Sequence, residues 1–258
     1  MDQVTPPDTT LKSLTKVVRI LDCFSATHRA QSVNDVASRT GLPKSTAHRL
    51  LASMRQVGLL EQAGERDQYR LGLKLFELGN TVLANMDLHR EARPFVDTLT
   101  RLAGQSVHLA VFDGRHAVVV QRADPAPEKA APLSFIETAP AHCTSVGKAI
   151  LAWQEAATID RLVAAGLPRF TDATITDPAA LHRDLQATRA RGYAIDEGEH
   201  QPGLRCVGAP IRDRSGRVFA AISASGPAWR LPVADIPALS RIVTHNAEAI
   251  SLCLGYRG

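Results

Sequence analysis

The 258-residue chain holds 45% hydrophobic and 22% charged residues, a balance typical of a globular protein with one large or two ordinary domains. No apolar run reaches the ~18 residues that span a membrane, and the N-terminus MDQVTPPDTT has neither the basic segment nor the apolar core of a signal peptide. We therefore expect no membrane association and a cytoplasmic location. Residues 1–10 are expected to be a disordered lead-in.

The formal net charge of +4 is unevenly distributed. Residues 28–58 contain five lysines and arginines against one acid, whereas residues 81–258 are almost neutral, with 19 basic and 18 acidic side chains. A basic N-terminal module joined to a neutral larger part indicates a protein that binds a polyanion through its N-terminus.

The segment after the lead-in predicts three short helices. Apolar residues recur at helical spacing over 11–25. Ser32 suits the N-cap of a second helix over 33–40, and an acid three residues later completes the pattern of a capping box. Gly41 ends that helix, and a third helix is expected from about Lys44 to Val57.

Two short strands, Leu59–Glu61 and Tyr69–Leu71, follow the third helix and predict a hairpin. Helices followed by a hairpin in this order define a winged helix-turn-helix, which we assign to residues 11–72. Residues 73–87 are predicted to form a helix that links this module to the rest of the chain.

The third predicted helix begins with PKSTAHR, whose side chains suit the surface of DNA. In a helix-turn-helix the second helix lies in the major groove, with its N-terminal residues at base edges and its flanks at phosphates. Lys44 and the hydroxyls of Ser45 and Thr46 are predicted to bind phosphates. His48 and Arg49 are long enough to reach base edges. The predicted DNA-binding residues are Arg39, Lys44, Ser45, Thr46, His48, Arg49 and, in the wing, Arg66.

A basic helix start is also compatible with a solvated helix face, with RNA or with a partner protein. Three neighbouring features favour double-stranded DNA: a preceding helix that ends in glycine, a following hairpin, and the local positive charge. A winged-helix module that binds RNA or protein, with a purely structural C-terminal domain, remains the alternative.

Residues 88–258 have the pattern of an α+β domain. A helix is expected over 89–103, SVHLAVFDGRHAVVVQRA reads as two strands, and SVGKAILAWQ as a short helix. Two outer helices follow over 155–165 and 178–191.

The last part of the chain predicts three strands and a closing helix. GYAIDEGE, LRCVGAPIRD and RVFAAISASG have the composition of successive strands, and ADIPALSRIVTHNAEAISLCLG that of a helix. Strands grouped with helices packed on them define an α+β domain with a central antiparallel sheet.

A concentration of polar side chains lies on or near these three strands: Asp196, Glu197, Glu199, His200, Cys206, Ser223 and Ser225. Strand alternation places the two serines on one face of the sheet. The turn TSVG at 144–147 precedes a short helix, so its backbone N–H groups can bind an anion. This set suits a small carboxylate. Its expected apolar walls are Leu133, Ile136, Leu204 and Ile222.

The whole pattern resembles the IclR family of bacterial transcriptional regulators. The N-terminal matches are SVNDVASRTGLPKSTAHRLL, then GLL, then YRLG with LKLFELG. The C-terminal matches are SVGKAILA and GYAIDEGEHQPGLRCVGAPIRDRSGRVFAAISASGP, in the family's order. The resemblance implies a ligand-responsive regulator, a repressor or activator of a catabolic operon, with a GAF-like effector-binding domain. It also implies a homodimer, often a dimer of dimers.

The resemblance further implies how the effector, a small organic acid, is bound. It assigns backbone contacts to Ser145 and Val146 and side-chain contacts to Asp196, Cys206, Ser223 and Ser225. The family often has Gly or Ala in the turn just before GK, where this chain has Ser145 and Val146, so a bulkier Val146 is expected to narrow the pocket.

Catalysis and metal binding are not expected. A thiol nucleophile with a histidine base is conceivable as Cys206 with His200 or Cys143 with His142, but no orienting third residue is evident. The four cysteines are widely spaced, without a C-x-x-C pair, which argues against a disulfide framework and a structural zinc site. No cofactor is expected.

Overall fold

The computed structural model describes residues 12–25, 27–64, 67–84, 86–125 and 138–258. It divides into two compact units, Met1–Asn85 and Met86–Gly258. The lead-in predicted for 1–10 lies outside the described residues. So do three residues predicted to take part in binding: Arg66, Leu133 and Ile136.

Three helices pack together in the first unit: α1 (Lys12–Leu21), α2 (Val33–Thr40) and α3 (Lys44–Gln56). Ser32 caps α2 as predicted. Its hydroxyl accepts a hydrogen bond from the backbone N–H of Asp35 (3.2 Å), and the Asp35 carboxylate accepts one from the backbone N–H of Ser32 (2.9 Å). Gly41 ends α2 in the left-handed conformation with φ 66°, which glycine adopts without strain.

The wing is a three-stranded antiparallel sheet of β1 (Gln31–Ser32), β2 (Leu60–Gln62) and β3 (Gln68–Leu71), in the order β1-β3-β2. The prediction had no β1, because two residues carry no periodicity. Helix α4 (Leu73–Ala84) follows the wing. The core of the unit joins helices and wing through fully buried side chains, among them Ile20, Val36, Ala47, Leu51 and Leu60.

The second unit confirms the predicted α+β class. Its helices are α5 (Asp87–Ala103), α6 (Ser145–Leu151), α7 (Ala156–Ala164), α8 (Pro178–Arg191) and α9 (Ile236–Cys253). Its strands are β4 (Ser106–Phe112), β5 (His116–Ala123), β6 (Thr138–Pro140), β7 (Ala194–Glu197), β8 (Leu204–Arg212) and β9 (Val218–Pro227). They form one antiparallel sheet in the order β6-β5-β4-β9-β8-β7.

Alternation along the strands gives this sheet two different faces. One face packs on α5 and α9, with Val207, Ile222 and Ala224 in that core. The other face packs under α6, where Ala110 and Ala221 contact its apolar side chains. The expectation that Ile222 forms a wall of the binding pocket was wrong, because its side chain lies on the opposite face from those of Ser223 and Ser225.

Glycine brings the start of α6 close to the sheet. A Cβ atom added at Gly208 on β8 would lie 2.7 Å from the carbonyl oxygen of Ser145 and 3.1 Å from the nitrogen of Val146. Such distances are shorter than van der Waals contact, so only glycine permits this approach. None of the described helices combines the length and the apolar composition needed to cross a membrane.

Candidate functional site

Helix α3 presents a polar, basic surface at its N-terminal end. Lys44, Ser45, His48 and Arg49 are exposed and Thr46 is partly exposed, while the apolar residues between them lie in the core. The residue that precedes the helix is Pro43, and no side chain caps the first turn. The N–H groups of that turn therefore point outward, as in helices whose N-termini bind phosphate.

The starts of α2 and α3 line one surface depression. Asn34 at the start of α2 lies there together with Lys44, Ser45 and His48 of α3. Sequence reasoning had missed Asn34, because the capping pattern explained the start of α2 without it. Arg39 is exposed in the last turn of α2. The DNA contacts of these side chains remain a prediction.

A cavity of about 540 Å³ lies on the α6 side of the sheet in the second unit. Its volume is in the range of small-molecule sites. The structure brings all six predicted effector-binding residues together around it: Ser145, Val146, Asp196, Cys206, Ser223 and Ser225. Leu204 also lines the cavity, as expected. Contact with an effector remains a prediction.

Four polar side chains form a row across neighbouring strands of the cavity floor. Asp196 pairs with Cys206, Cys206 with Ser225, and Ser225 with Ser106 in the antiparallel register. The Cys206 Sγ and Ser225 Oγ atoms are 2.9 Å apart and share a hydrogen bond. The row places hydroxyl, thiol and carboxylate groups side by side in one cavity.

A backbone hydrogen bond orients the carboxylate of Asp196 at the end of this row. The N–H of Glu199 donates a hydrogen bond to Asp196 Oδ1 (2.7 Å). Burial raises the pKa of Asp196, although this hydrogen bond and the Lys148 charge oppose that effect.

The thiols near the cavity are unsuited to nucleophilic attack. Burial, followed by the charge of Asp196, raises the pKa of both Cys143 and Cys206 to about 12. Nucleophilic cysteines have lowered pKa values, because the thiolate is the reactive form. In the parts of the chain that the structure describes, no group of three His, Cys, Asp or Glu side chains is arranged to hold a metal ion.

Behind the cavity wall, Lys148 of α6 is almost completely buried between two carboxylates. Its Nζ donates to Glu199 Oε1 and lies 2.9 Å from Asp184 Oδ2 on α8. Burial raises the pKa of Glu199, and the positive charge of Lys148 acts in the opposite direction. Lys148 therefore ties α6 to the segment that orients Asp196. Sequence reasoning missed it, although a single lysine inside the apolar run SVGKAILA was a visible signal.

Among the described residues, four basic side chains line the cavity, and two of them, His108 and Arg122, lie on strands remote from Asp196 in the sheet order. His108 on β4 and Arg122 on β5 pair across the two strands, and His200 and Arg230 also face the cavity. Of these, only His200 was singled out from the sequence. Arg122 lies at the end of the apolar run VVVQRA and had no local feature to mark it. Because Asp196 is the sole carboxylate among the described lining residues, the cavity favours an anion.

A winged helix-turn-helix joined to a domain with an anion-favouring cavity is the architecture of a ligand-responsive DNA-binding regulator. Two family models match the chain. The model described as "IclR helix-turn-helix domain" matches residues 13–64, and "Bacterial transcriptional regulator IclR C-terminal" matches residues 80–252. The chain belongs to the IclR family of bacterial transcriptional regulators, as its sequence motifs indicated, and is a DNA-binding regulator of transcription.

Relatives match along nearly their whole length. The HTH-type transcriptional regulator XynR of Escherichia coli K12 is 32% identical over 250 residues, covering 95% of this chain and 98% of that protein. The transcriptional repressor IclR of the same strain is 32% identical over 248 residues, which cover 95% of this chain and 90% of that protein.

Solved structures of similar proteins have the same fold. An IclR homolog from Microbacterium hydrocarbonoxydans, in complex with 4-hydroxybenzoate, matches with a TM-score of 0.77 and 30% identity over 94% of this chain and 98% of that one. The Thermotoga maritima IclR matches with a TM-score of 0.69 and 30% identity, over 95% of this chain and 99% of that one.

The buried Lys148 cluster leads to a prediction about stability. Lys148→Met leaves the carboxylates of Glu199 and Asp184 without their buried cation, and we expect the free energy of unfolding to fall by about 3–5 kcal/mol at neutral pH. Urea denaturation followed by circular dichroism at pH 7.5 measures this loss. Lys148→Met combined with Glu199→Gln should recover part of it.

The loss should also depend on pH. The pKa of Glu199 is raised in the folded state, so its ionisation costs stability as pH rises from the unfolded pKa through the folded one. Without the positive charge of Lys148, the pKa of folded Glu199 rises further, and the loss of stability on ionising Glu199 becomes larger. The deficit should therefore be largest near pH 7.5 and shrink towards pH 5. An equal deficit at both pH values, with no recovery in the double variant, would contradict this account.

Proposed function

We propose that this regulator binds operator DNA through α3 and that a small organic acid in the cavity of the second unit changes its operator affinity. Such a protein represses or activates a catabolic operon and acts in the cytoplasm, where bacterial DNA lies. The observation that carries the proposal is the cavity itself, which has hydroxyl and thiol groups on β8 and β9 and the guanidinium of Arg122 on β5.

The DNA-binding half of the proposal is supported by the exposed face of α3. Lys44 and Ser45 are the first two residues of α3, and in this first turn the free backbone N–H groups and the positive charge together favour phosphate. His48 and Arg49 are exposed one turn further along, at the positions that reach base edges in a helix-turn-helix.

The effector half is supported by charge and by one relative. The cations at the cavity wall favour an anion, and the hydroxyls of Ser223 and Ser225 can donate hydrogen bonds to a carboxylate. The Microbacterium hydrocarbonoxydans relative carries 4-hydroxybenzoate, an organic acid. An effector changes DNA affinity only by binding two conformations differently, and a typical coupling of about 1–3 kcal/mol changes occupancy roughly 5- to 150-fold.

A homodimer is the third element of the proposal, with a dimer of dimers as its further assembly. One winged module makes too few contacts to specify a site in a genome, and two modules double them. Helix α4 exposes large apolar side chains on more than one side: Leu73, Phe76, Leu78 and Val82. Its polar stripe holds Lys74, Glu77 and Thr81. An apolar, exposed helix of this kind suits contact with a second copy of the chain.

Two substitutions in α3 separate base reading from phosphate binding. Arg49→Ala should weaken binding to the operator and flatten its sequence preference by about 1–3 kcal/mol, because a contact to a base edge is lost. Lys44→Ala should weaken binding to all duplexes alike and lower the salt slope by about one. Fluorescence anisotropy with operator and scrambled duplexes, over a range of KCl concentrations, measures both effects.

Arg161→Ala is the control for this pair, since it removes one exposed positive charge from the second unit. Its affinity for the operator, and the dependence of that affinity on salt concentration, should equal those of the unsubstituted protein. If Arg49→Ala and Lys44→Ala also behaved like the control, α3 would not be the DNA-reading helix.

A charge on the apolar surface of α4 should disrupt the dimer. Phe76→Glu places a carboxylate where the side chain is 67% exposed in the single chain and is proposed to be covered by the second copy. We expect sedimentation velocity to show a shift towards monomer and operator affinity to fall with it. Thr81→Glu, on the polar stripe, is the matched control and should remain dimeric. Two variants with equal sedimentation would exclude this surface from the interface.

The cavity serines should be required for the response to effector. The double variant Ser223→Ala with Ser225→Ala should lose the stabilisation and the change in operator affinity caused by an organic acid, while its operator affinity without ligand is retained. Thermal shift with 4-hydroxybenzoate and straight-chain mono- and dicarboxylates identifies acids that bind, and calorimetry then compares the variant with Ser215→Ala, a control outside the cavity. Equal binding by both variants would refute the pocket assignment.

A further inference from the structure

The floor of the cavity has two chemically different halves. The half on β8 and β9 carries the thiol of Cys206 and the hydroxyls of Ser223 and Ser225. The half on β4 and β5 carries His108 and Arg122. His108 pairs with Ser223 on one side and with Arg122 on the other, so the two halves are continuous.

The distance between the halves exceeds the length of the smallest acids. Neighbouring strands lie about 4.8 Å apart, so the centres of the two halves are separated by two strand spacings, or about 10 Å. An acid of two or three carbons that contacts Ser223 and Ser225 reaches the neighbouring strand β4 with His108 but does not span the two strand spacings to β5, which carries Arg122. A longer molecule with a polar group at each end contacts both.

Arg122 is held in place before any ligand binds. Its Nε and Nη2 atoms donate to Asp124 Oδ1 at 3.2 and 3.0 Å, and the hydroxyl of Ser106 donates to the same oxygen at 2.5 Å. Burial raises the pKa of Asp124, but the hydrogen bonds from Ser106 and Arg122 outweigh burial and keep the pKa below its usual value. Asp124 is therefore a carboxylate that orients the guanidinium from one edge.

The other edge of the guanidinium matches a second carboxylate. The Nη1 and Nη2 atoms present parallel N–H bonds, the geometry in which arginine binds a carboxylate at two points. The cavity also has apolar surface beside both halves, from Val119 on β5, Ala139 on β6 and Leu204 on β8. Two separate polar groups with apolar surface beside each of them are complementary to an aliphatic chain with a carboxylate at each end.

We infer that the effector is a dicarboxylic acid, with one carboxylate on the Ser223–Ser225 half of the cavity and the other on Arg122. The inference rests on the proposed function, since it names the class of acid that this cavity binds. Arg122 is the residue that selects a dicarboxylate over a monocarboxylate, and Asp124 is its positioning residue.

Calorimetry with matched acids tests this. The probes are the straight-chain dicarboxylates from oxalate to pimelate, each compared with the monocarboxylate of equal chain length, such as adipate with hexanoate. We expect an intermediate length to bind best and to exceed its monocarboxylate by about tenfold to a hundredfold, the gain of a charge-assisted contact.

Two variants assign that preference to Arg122. In Arg122→Gln the ratio of dicarboxylate to monocarboxylate affinity should fall towards one. In Asp124→Asn, which keeps the arginine but weakens its orientation, the ratio should be intermediate. Arg161→Ala, outside the cavity, should keep the full ratio. If Arg122→Gln does not fold, the affinity ratio in Asp124→Asn tests the role of Arg122: a lowered ratio supports it, and an unchanged ratio overturns it.

The outcomes separate the inference from the proposed function. Binding of monocarboxylates as tight as that of dicarboxylates would overturn the inference and leave the organic-acid effector in place. A dicarboxylate preference that persists in Arg122→Gln would overturn the role of Arg122. If no acid of either series binds or changes operator affinity, the proposed effector class itself fails, and the inference with it.

Discussion

The approach of α6 to the sheet at Gly208 determines most of what the second unit can do. Because no side chain separates Gly208 from Ser145 and Val146, the first turn of α6 lies directly on β8, at one end of the cavity floor. Lys148, one turn further along, binds Glu199, whose backbone N–H in turn binds Asp196. One backbone contact and one buried cation thus fix the residues that face the cavity on that side.

Local features of this fold were predictable because each depends on a few neighbouring residues. The capping box at Ser32, the glycine that ends α2 and the start of α3 at Lys44 follow from side chains within one helical turn. The antiparallel α+β character of the second unit followed from strand-like segments separated by tight turns. The two-residue strand β1 was not predictable, because it is defined only by its pairing with β3.

The cavity was predictable in part. Asp196, Cys206, Ser223 and Ser225 lie on three strands close in sequence, and alternation along a strand identified a shared face. The same rule excludes Ile222, which precedes Ser223 and must face the other way. His108 and Arg122 could not be found in this manner, because β4 lies beside β9 only through a pairing between segments more than a hundred residues apart. Which residues face each other across paired strands depends on the register of the strands, and the sequence around each residue does not show it.

The carboxylate of Asp124, which binds Arg122 from outside the cavity lining, explains how the cavity can discriminate among anions. Asp124 already pairs with Arg122, so an incoming carboxylate meets a guanidinium that is partly neutralised, and the strength of the new contact depends on its geometry. Affinity then depends on whether the ligand places its oxygens on the remaining edge of a fixed guanidinium while its other end reaches the serine hydroxyls. Since the protein holds both groups in place beforehand, the spacing of the ligand's polar ends, more than its total charge, determines which acid binds.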